Sequence, residues 1–198
     1  VRRHGRRPGR LMPAPSTTLS TARLRLEPVE PRHFDGLRLI SGDAAVMHHI
    51  TGRAETPEET AAFVARHQAK WAQLGHAWWA FVAIDSGEIV GTGAVQNIEY
   101  DLGNPLELCW RLRADQQGKG YATEAALAMA RFAFEELRAG EVLAVCRPEN
   151  AASSAVMRRI GMRYRGIERW YETDTEVYRL VPGHEPHHGG PVKTAGPA

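Results

Sequence analysis

One stretch of the sequence, residues 106–126, constrains the fold more than any other. Its first seven residues, LELCWRL, are mostly apolar and β-forming, and a polar turn with Gly118 and Gly120 follows them. Small and apolar residues then recur on one helical face, at Ala122, Ala125, Ala126, Met129 and Phe132. The pattern predicts a strand, a tight loop and a helix that starts at Gly120. Because small residues at a helix N-terminus leave backbone N–H groups uncovered, such a corner binds phosphate.

The loop in this stretch does not fit the two common nucleotide-binding motifs. A Rossmann fingerprint needs a third glycine where Thr123 stands, and the Gly-Lys-Ser/Thr of a Walker A loop is absent. The residues do match the pattern Gln/Arg-x-x-Gly-x-Gly/Ala, with Gln117, Gly120 and Ala122 at its defined positions. This pattern resembles the pyrophosphate loop of the GNAT superfamily of N-acetyltransferases.

The resemblance extends beyond the loop, over roughly residues 20–181. In chain order the other matching segments are Thr-Glu-Ala at 123–125, Phe-Ala-Phe at 132–134, Pro-Glu-Asn-Ala-Ala-Ser at 148–153 and Ile-Gly-Met at 160–162. In this order they are similar to the branch that includes the ribosomal-protein N-terminal (Rim-like) acetyltransferases. The resemblance implies transfer of an acetyl group from acetyl-CoA to a primary amine.

Hydrophobic periodicity predicts the element order β-α-α-α-β-β-β-α-β-α-β-β. Thr56-Pro57 caps a helix that we expect to run to about Leu74, and Ser86-Gly87 marks the turn of a hairpin. We expect the apolar stripe of that helix to contain Ala62, Phe63, the Arg66 stem, Trp71 and Leu74.

A crossover helix after the central strand, with hairpins before it, predicts the α/β class. We expect a mixed, mostly antiparallel sheet with helices on both faces. The family resemblance further implies that the central strand and the strand after the loop helix splay apart, with the pantetheine arm of acetyl-CoA between them. Periodicity alone does not predict this splay.

Length and composition predict one globular domain. The chain has 198 residues, of which 43% are hydrophobic and 24% charged. We expect the N-acetyltransferase domain over residues 21–181, between a disordered basic N-terminal extension (1–20) and a disordered tail (182–198). Val1 leaves open a translation start at Met12.

The positive charge is concentrated in the extension. Five of the first ten residues are arginine, and in the remainder acidic side chains outnumber basic ones. General nucleic-acid binding by the domain is therefore not expected, although the extension itself could contact phosphates. No membrane-length apolar run or signal peptide pattern is present, so we expect a cytoplasmic protein with no membrane partner. Oligomeric state is not readable from the sequence, and a homodimer stays open.

Neither cysteines nor histidines point to a metal. Cys109 and Cys146 fall within predicted strands and are interpreted as buried small hydrophobes rather than as a disulfide or a nucleophile. Residues 184–188 formally fit H-E-x-x-H, but Pro186 breaks the helix that such a zinc site needs. The pair His48-His49 has no partner at ligand spacing and is interpreted as a helix end near the acceptor site.

Acetyl-CoA is expected to bind along the loop and the central strand. The loop amides would hold its pyrophosphate, and by family likeness the backbone N–H groups of Leu112 and Arg113 would bind pantetheine. For the 3′-phosphate, Arg111, Arg113 and Lys119 are alternatives, each equally explained as a solvated charge. The predicted loop contacts are Gln117, Gly118, Lys119, Gly120, Tyr121, Ala122 and Thr123.

Asn150 and Ser153 form the second predicted constellation. Both are explained without a ligand if Asn150 is a helix N-cap and Ser153 a polar residue of the first turn. The family resemblance implies more: Asn150 would contact pantetheine, and Ser153 would lie near the sulfur and donate to the leaving thiolate. Ser154 is the neighbouring alternative, and Tyr164 is a further one.

Glu107 is the candidate general base. By alternation it shares a strand face with Cys109 and Arg111. In a partly apolar cleft its carboxylate would have a raised pKa and could relay a proton through water. The alternative is a charge at a strand end that faces solvent. The aromatic residues Trp78, Trp79, Trp110, Trp170 and Tyr171 are expected to build the core and the rim of the acceptor groove.

The sequence therefore predicts an acetyl-CoA-dependent N-acetyltransferase of the Rim-like branch that works by direct transfer in a ternary complex. A protein N-terminal amine is the favoured acceptor, and a small amine or an antibiotic amine is the alternative. A non-catalytic acyl-CoA-binding module is the alternative from another class, although it would need only the loop and not Ser153.

Overall fold

The computed structural model describes residues 17–184. The strands are β1 (Leu19–Ser20), β2 (Leu24–Pro28), β3 (Trp78–Ala83), β4 (Ile89–Asn97), β5 (Leu106–Leu112), β6 (Val142–Cys146), β7 (Arg163–Trp170) and β8 (Thr173–Leu180). The α-helices are α1 (Phe34–Ser41), α2 (Ala44–Met47), α3 (Pro57–Leu74), α4 (Tyr121–Glu135) and α5 (Ala151–Arg159). Apart from β1, their order along the chain is the one predicted.

The strands form one sheet of eight, in the order β1-β2-β3-β4-β5-β6-β8-β7. All neighbouring pairs are antiparallel except β5 and β6, which are parallel. Helix α4 makes the crossover between these two parallel strands. The predicted fold class, a mixed and mostly antiparallel sheet, is confirmed.

Helices cover both faces of the sheet, and two adjacent tryptophans on β3 show how the core divides. Because successive side chains of a strand point to opposite faces, Trp78 and Trp79 enter different clusters. The Trp79 ring lies 5.2 Å from that of Phe132 on α4, and the Trp78 ring lies 5.2 Å from that of Phe63 on α3. Both indoles are buried. One cluster therefore lies beneath α4, and the other beneath α1 and α3.

The sheet opens between β5 and β6. Strands β4 and β5 stay in register over seven residue pairs, up to Gly91 with Leu112. In contrast, β5 and β6 share a single register pair, Glu107 with Leu143. Beyond this pair the two strands separate toward their C-terminal ends. The splay implied by the family resemblance is confirmed, and it creates the cleft described below.

The folded chain begins earlier than the expected boundary at residue 21. Leu19 and Ser20 pair with Leu26 and Arg25 of β2, and the carbonyl of Thr17 accepts a hydrogen bond from the Trp79 indole at 2.8 Å. A two-residue strand has no periodicity to detect. Its pairing is decided by the neighbouring edge of β2.

The apolar stripe of α3 is rotated relative to the predicted one. Ala62 and Leu74 are exposed, whereas the helix buries Thr60, Phe63, Val64 and His67. His67 is fully buried against the rings of Phe63 and Trp78. A histidine was not counted as an apolar position, so the sequence reading placed the buried face about one residue away.

Residues 1–16 and 185–198 lie outside the described part of the chain. Most of the predicted basic extension and tail, and all of the H-E-x-x-H segment except His184, fall there. Of the helices within residues 17–184, none is long and apolar enough to cross a membrane.

Gly93 allows the close packing of the sheet centre, and we predict that Gly93→Ala is strongly destabilising. An added Cβ would lie 2.5 Å from the Cys109 carbonyl oxygen and 2.6 Å from the Phe81 ring, both in the interior. The free energy of unfolding, measured by urea denaturation, should fall by about 1–3 kcal/mol. Gly140→Ala is the control, because its Cβ would meet nothing within 4 Å. Equal stability of the two variants would contradict this packing.

Candidate active site

A large cleft opens where β5 and β6 separate, with a volume of about 1840 Å³. We call its two ends the loop end, formed by residues 117–120 and 122–124, and the hairpin end. The hairpin end is lined by Phe63, Trp78, Tyr100, Glu107, Arg111 and Tyr171. Typical small-molecule pockets hold about 300–1,000 Å³, so this cleft has room for two substrates side by side.

At the loop end, the backbone presents uncovered N–H groups. Gly118 and Gly120 are both left-handed, with φ of +73° and +85°, and Gly120 is the N-cap of α4 without a side chain to cap it. The first helical hydrogen bond runs from Glu124 N–H to the Gly120 carbonyl at 3.1 Å. The N–H groups of residues 121–123 precede this bond and lack helical acceptors. Together with the helix dipole they suit an anion such as a diphosphate.

Arg23, which precedes β2, binds this loop, and the sequence did not predict this contact. Its Nη1 donates to the Lys119 carbonyl at 2.9 Å and its Nε donates to the Glu124 carboxylate at 2.7 Å. The guanidinium also lies 4.7 Å from the ring centroid of Tyr121. Arg23 and Lys119 are 96 residues apart in the chain. Such a contact leaves no local pattern, so only the fold reveals it.

The free edge of β5 also presents N–H groups to the cleft. Arg113 N–H donates to the Val90 carbonyl at 3.0 Å. Because bonded and non-bonded positions alternate along an antiparallel pair, the N–H groups of Trp110 and Leu112 point away from β4 and toward the cleft. The Leu112 N–H is thus free for the predicted contact. The predicted contact of Arg113 is wrong, since its N–H is already bonded to β4, and the other N–H that faces the cleft is that of Trp110.

Of the three side chains predicted near the 3′-phosphate, only Lys119 lies at the loop end. Arg113 is held by Asp115 at 2.6 Å and by Glu88 at 3.0 Å, outside the cleft. Arg111 lies toward the hairpin end, so it is not placed for this phosphate either. Lys119 stays at the loop end.

A further basic residue joins Lys119 there. Lys119 Nζ donates to the Gln116 side chain at 2.9 Å, and Arg159 of α5 donates to the Thr123 hydroxyl at 3.2 Å. Both cations line the cleft. Arg159 was not predicted, because its position on the last turn of a short helix looks like ordinary helix-end charge.

Asn150 and Ser153 lie on the opposite wall. Asn150 caps α5, its Oδ1 accepting from Ser153 N–H at 3.1 Å, and both residues also line the cleft. The capping role is therefore real and compatible with ligand contact. Ser154 is buried and donates to a backbone carbonyl at 3.3 Å, and Tyr164 is 54% exposed outside the cleft. Of these hydroxyls, Ser153 is the one placed at the cleft.

Glu107 lies at the last paired position of β5 and β6 and is only 3% exposed. The alternative of a solvent-facing strand-end charge is therefore wrong. Its Oε1 accepts hydrogen bonds from Gln96 Nε2 at 2.9 Å and from the Tyr171 hydroxyl. Burial raises the pKa of Glu107 above the ordinary 4.5, although both hydrogen bonds lower it. A cleft-lining carboxylate with a raised pKa is suited to proton transfer.

Two turns with left-handed backbone conformation hold Tyr171, the hydrogen-bond donor to Glu107, in position. Tyr171 and Glu172 form the two-residue turn between β7 and β8, with φ of 53° and 59°. Tyr171 N–H donates to the Glu99 carboxylate at 2.7 Å, and Glu99 and Tyr100 also have positive φ, 57° and 61°. Each such residue costs about 1–2 kcal/mol. Strain of this kind collects at functional sites, and no glycine marks either turn in the sequence.

Of the two cysteines predicted to be buried, Cys146 is buried and Cys109 is partly exposed. Cys109 and Cys146 are free thiols, and burial raises the pKa of Cys109 well above 9.0 and that of Cys146 to about 11. Both thiols are therefore neutral near pH 7 and are weak nucleophiles. Within residues 17–184, no three or more His, Cys, Asp or Glu side chains are grouped to hold a metal ion.

Comparison with known proteins agrees with this geometry. Two relatives are each 30% identical to the chain. One is the uncharacterised N-acetyltransferase YnaD of Bacillus subtilis, matched over 75% of this chain and 84% of its own. The other is the FsC-acetyl coenzyme A-N(2)-transacetylase of Aspergillus fumigatus, matched over 74% of this chain and 65% of its own.

Solved structures share the fold. A GNAT-family acetyltransferase from Bacillus anthracis is 26% identical, with a TM-score of 0.72 over 83% of this chain and 98% of its own. An acetyltransferase from Salmonella typhimurium that modifies the N-terminal serine of ribosomal protein L7/L12 is 18% identical, with a TM-score of 0.69 over 81% and 96%. Residues 23–163 match the acetyltransferase (GNAT) domain family. The chain therefore belongs to the GNAT family of acetyltransferases.

Proposed function

We propose that the protein is an acetyl-CoA-dependent N-acetyltransferase that transfers an acetyl group directly to a primary amine within a ternary complex. The observation that carries this proposal is the continuity of the cleft. It runs from the uncovered N–H groups at the start of α4, along the free edge of β5, to the buried carboxylate of Glu107. A non-catalytic binding module would need only the loop end.

The loop end fits the diphosphate of acetyl-CoA. A Cβ at Gly120 would fill the corner, 3.3 Å from Arg23 Nη2. Residues 121–123 would donate their N–H groups, while Lys119 and Arg159 add positive charge. The N–H groups of Leu112 and Trp110 would bind the pantetheine arm. When bound, acetyl-CoA supplies the acyl group as an activated thioester.

Glu107 is proposed as the general base. An amine must lose a proton as its nitrogen forms the bond to the acyl carbon, and Glu107 would accept that proton through water. A protein α-amine, with a pKa of about 7.7–8.0, is easier to deprotonate than a lysine near 10.4. Tyr171 and Gln96 orient the carboxylate by donating to the same oxygen.

Ser153 is proposed to act on the leaving group. As the C–S bond breaks, the sulfur takes the electron pair, and the Ser153 hydroxyl, directly or through water, would stabilise the thiolate by donating a hydrogen bond. The thiolate would then take a proton from solvent, while Glu107 releases the amine proton to solvent. The N-cap bond from Asn150 fixes the first turn that carries this hydroxyl. Transfer is then complete without a covalent enzyme intermediate.

The acceptor is proposed to be a protein N-terminal amine or a small-molecule amine. The Aspergillus relative is named for acetyl transfer to FsC, and the Salmonella enzyme modifies a protein N-terminal serine. Because the second is under 25% identical, it supports the fold alone. Acetyl transfer is the chemistry that the names of these two proteins share.

We predict that Gly120→Glu abolishes binding of acetyl-CoA. The new carboxylate would occupy the anion corner and repel the diphosphate, so Kd measured by calorimetric titration should rise by at least roughly 100-fold.

Gly75→Glu is the matched control for this measurement. Gly75 has φ +70°, ends α3 and has open space around its Cβ position, so the backbone strain is similar and no cleft residue is touched. Unchanged binding by Gly120→Glu would place the cofactor elsewhere.

We predict that Glu107→Gln lowers kcat by about 100-fold or more while raising stability at pH 8. Glutamine keeps an oxygen for Gln96 and Tyr171 but cannot accept a proton. Because burial raises the folded-state pKa of Glu107, the ionised form is penalised, and the wild type loses stability as pH rises through that pKa. The neutral variant avoids this loss.

Thermal unfolding measures the predicted gain in stability of Glu107→Gln, and acetyl-transfer kinetics measure the predicted loss of kcat. The gain in Tm should shrink toward pH 4, where Glu107 is protonated in the wild type as well. A variant with full activity would remove Glu107 from the proposed chemistry.

A further inference from the structure

Arg111 is a largely buried cation at the hairpin end whose donors lack oxygen acceptors. Its side chain is 12% exposed. Its nearest polar contacts are Met47 Sδ at 3.9 Å and Glu55 Oε1 at 3.7 Å. The Met47 contact is a weak hydrogen bond to sulfur, and the Glu55 contact is an ion pair that is too long for a hydrogen bond. Among residues 17–184, no oxygen accepts a hydrogen bond from this guanidinium.

Arg113, two residues further on, shows how the same sheet satisfies a buried arginine. It is 15% exposed, and its Nε and Nη2 donate to the two oxygens of Asp115 at 2.6 and 2.9 Å. Nη2 also donates to Glu88 at 3.0 Å. The unmet donors of Arg111 are therefore a property of its place in the cleft. Desolvating a cation that has one long ion pair and no oxygen acceptor is costly, which points to a ligand.

Aromatic rings hold the Arg111 guanidinium in place. Its Cζ lies 4.8 Å from the Trp78 ring centroid and 5.8 Å from that of Phe63. Contact with a ring face restrains the guanidinium plane and leaves the in-plane N–H groups free to bind. A planar fork of this kind matches the two oxygens of a carboxylate.

The charges around Arg111 favour an anion. Arg66 also lines the hairpin end, and Lys70 lies one turn further along α3. The acids of the cleft here are Glu55, which is too distant from Arg111 for a hydrogen bond, and Glu107, whose carboxylate is already bonded to Gln96 and Tyr171. Burial first, and then the positive charges of Arg66, Lys70 and Arg111, lower the pKa of His67 to about 3. The positive charges at this end therefore also disfavour the protonated form of the buried His67.

We propose that the acceptor amine of this enzyme carries a carboxylate, which the Arg111 guanidinium binds in a bidentate manner at the hairpin end. The inference rests on the proposed function and narrows its substrate class. Arg111 lies on the same face of β5 as Glu107, four residues or roughly 13 Å along the strand. Both side chains line the hairpin end of the cleft, so a molecule whose amine meets Glu107 through water can place its carboxylate at Arg111. The carboxylate is either the α-carboxylate of an amino acid or the side chain of an acidic N-terminal residue.

Two matched pairs of acceptors test this inference. The first pair is phenylalanine and phenylalanine amide, and the second is the peptide amides Glu-Ala-Ala and Gln-Ala-Ala. Binding to the CoA-saturated enzyme is measured by calorimetry, and turnover by thiol release. In at least one pair, Arg111→Gln should lower kcat/KM for the carboxylate member by about 10- to 100-fold relative to the neutral member, mainly through KM. The responding pair identifies the source of the carboxylate.

Comparing each ratio between wild type and variant cancels differences in amine pKa. Glu55→Gln is the control. If Arg111 acted only through its ion pair with Glu55, this variant would also lose the preference for acceptors with a carboxylate. We expect Glu55→Gln to keep that preference. Equal effects of Arg111→Gln on both members of both pairs, or no binding of any carboxylate member, would overturn the inference. Acetylation of neutral amines in that case leaves the proposed function standing, whereas failure to bind acetyl-CoA removes both.

Discussion

The single register pair between β5 and β6 is the constraint on which the rest of the structure depends. Glu107 and Leu143 are the last residues at which these strands meet. Beyond them the sheet gives up hydrogen bonds that a closed pair would have made, and unpaired buried N–H groups are costly. The N–H groups of Trp110 and Leu112 are thereby left for a ligand. The cleft is a gap between two strands of one sheet. Its β5 wall therefore presents backbone N–H donors at the regular spacing of a strand.

The two ends of the cleft carry opposite kinds of chemistry because different elements meet there. At the loop end, α4 begins directly after Gly120, so its dipole and open amides face the cleft. At the hairpin end, α3 and the turn at Tyr171 close over one face of β5. That face holds Glu107 and Arg111, one buried carboxylate and one buried guanidinium. The proposed anion-binding corner and the proposed general base thus lie at opposite ends of one cavity.

Much of this could be predicted from residue patterns. The Gln117 to Ala122 pattern predicts the loop, and the strand and helix around it follow from local periodicity. Asn150 as a cap and Glu107 on the face of Cys109 also follow from short-range rules. Predictions that depended on where a backbone or side chain points were less secure. The predicted backbone contact of Arg113 is wrong because successive N–H groups of β5 point to opposite sides, and that of Arg113 points toward β4. The Arg111 side chain lies at the hairpin end, away from the loop end where the 3′-phosphate was predicted.

The sequence by itself determined the class of element at nearly every position, the loop proposed to bind phosphate, and the family. These depend on spacings of two to four residues, which periodicity and capping express directly. Only the tertiary structure decided how Arg23 clasps the loop, how Tyr171 and Gln96 hold Glu107, and why Arg111 lacks an acceptor. Each of these joins segments far apart in the chain. Burial and hydrogen-bond partners are set there by packing, which leaves no local trace in the order of residues.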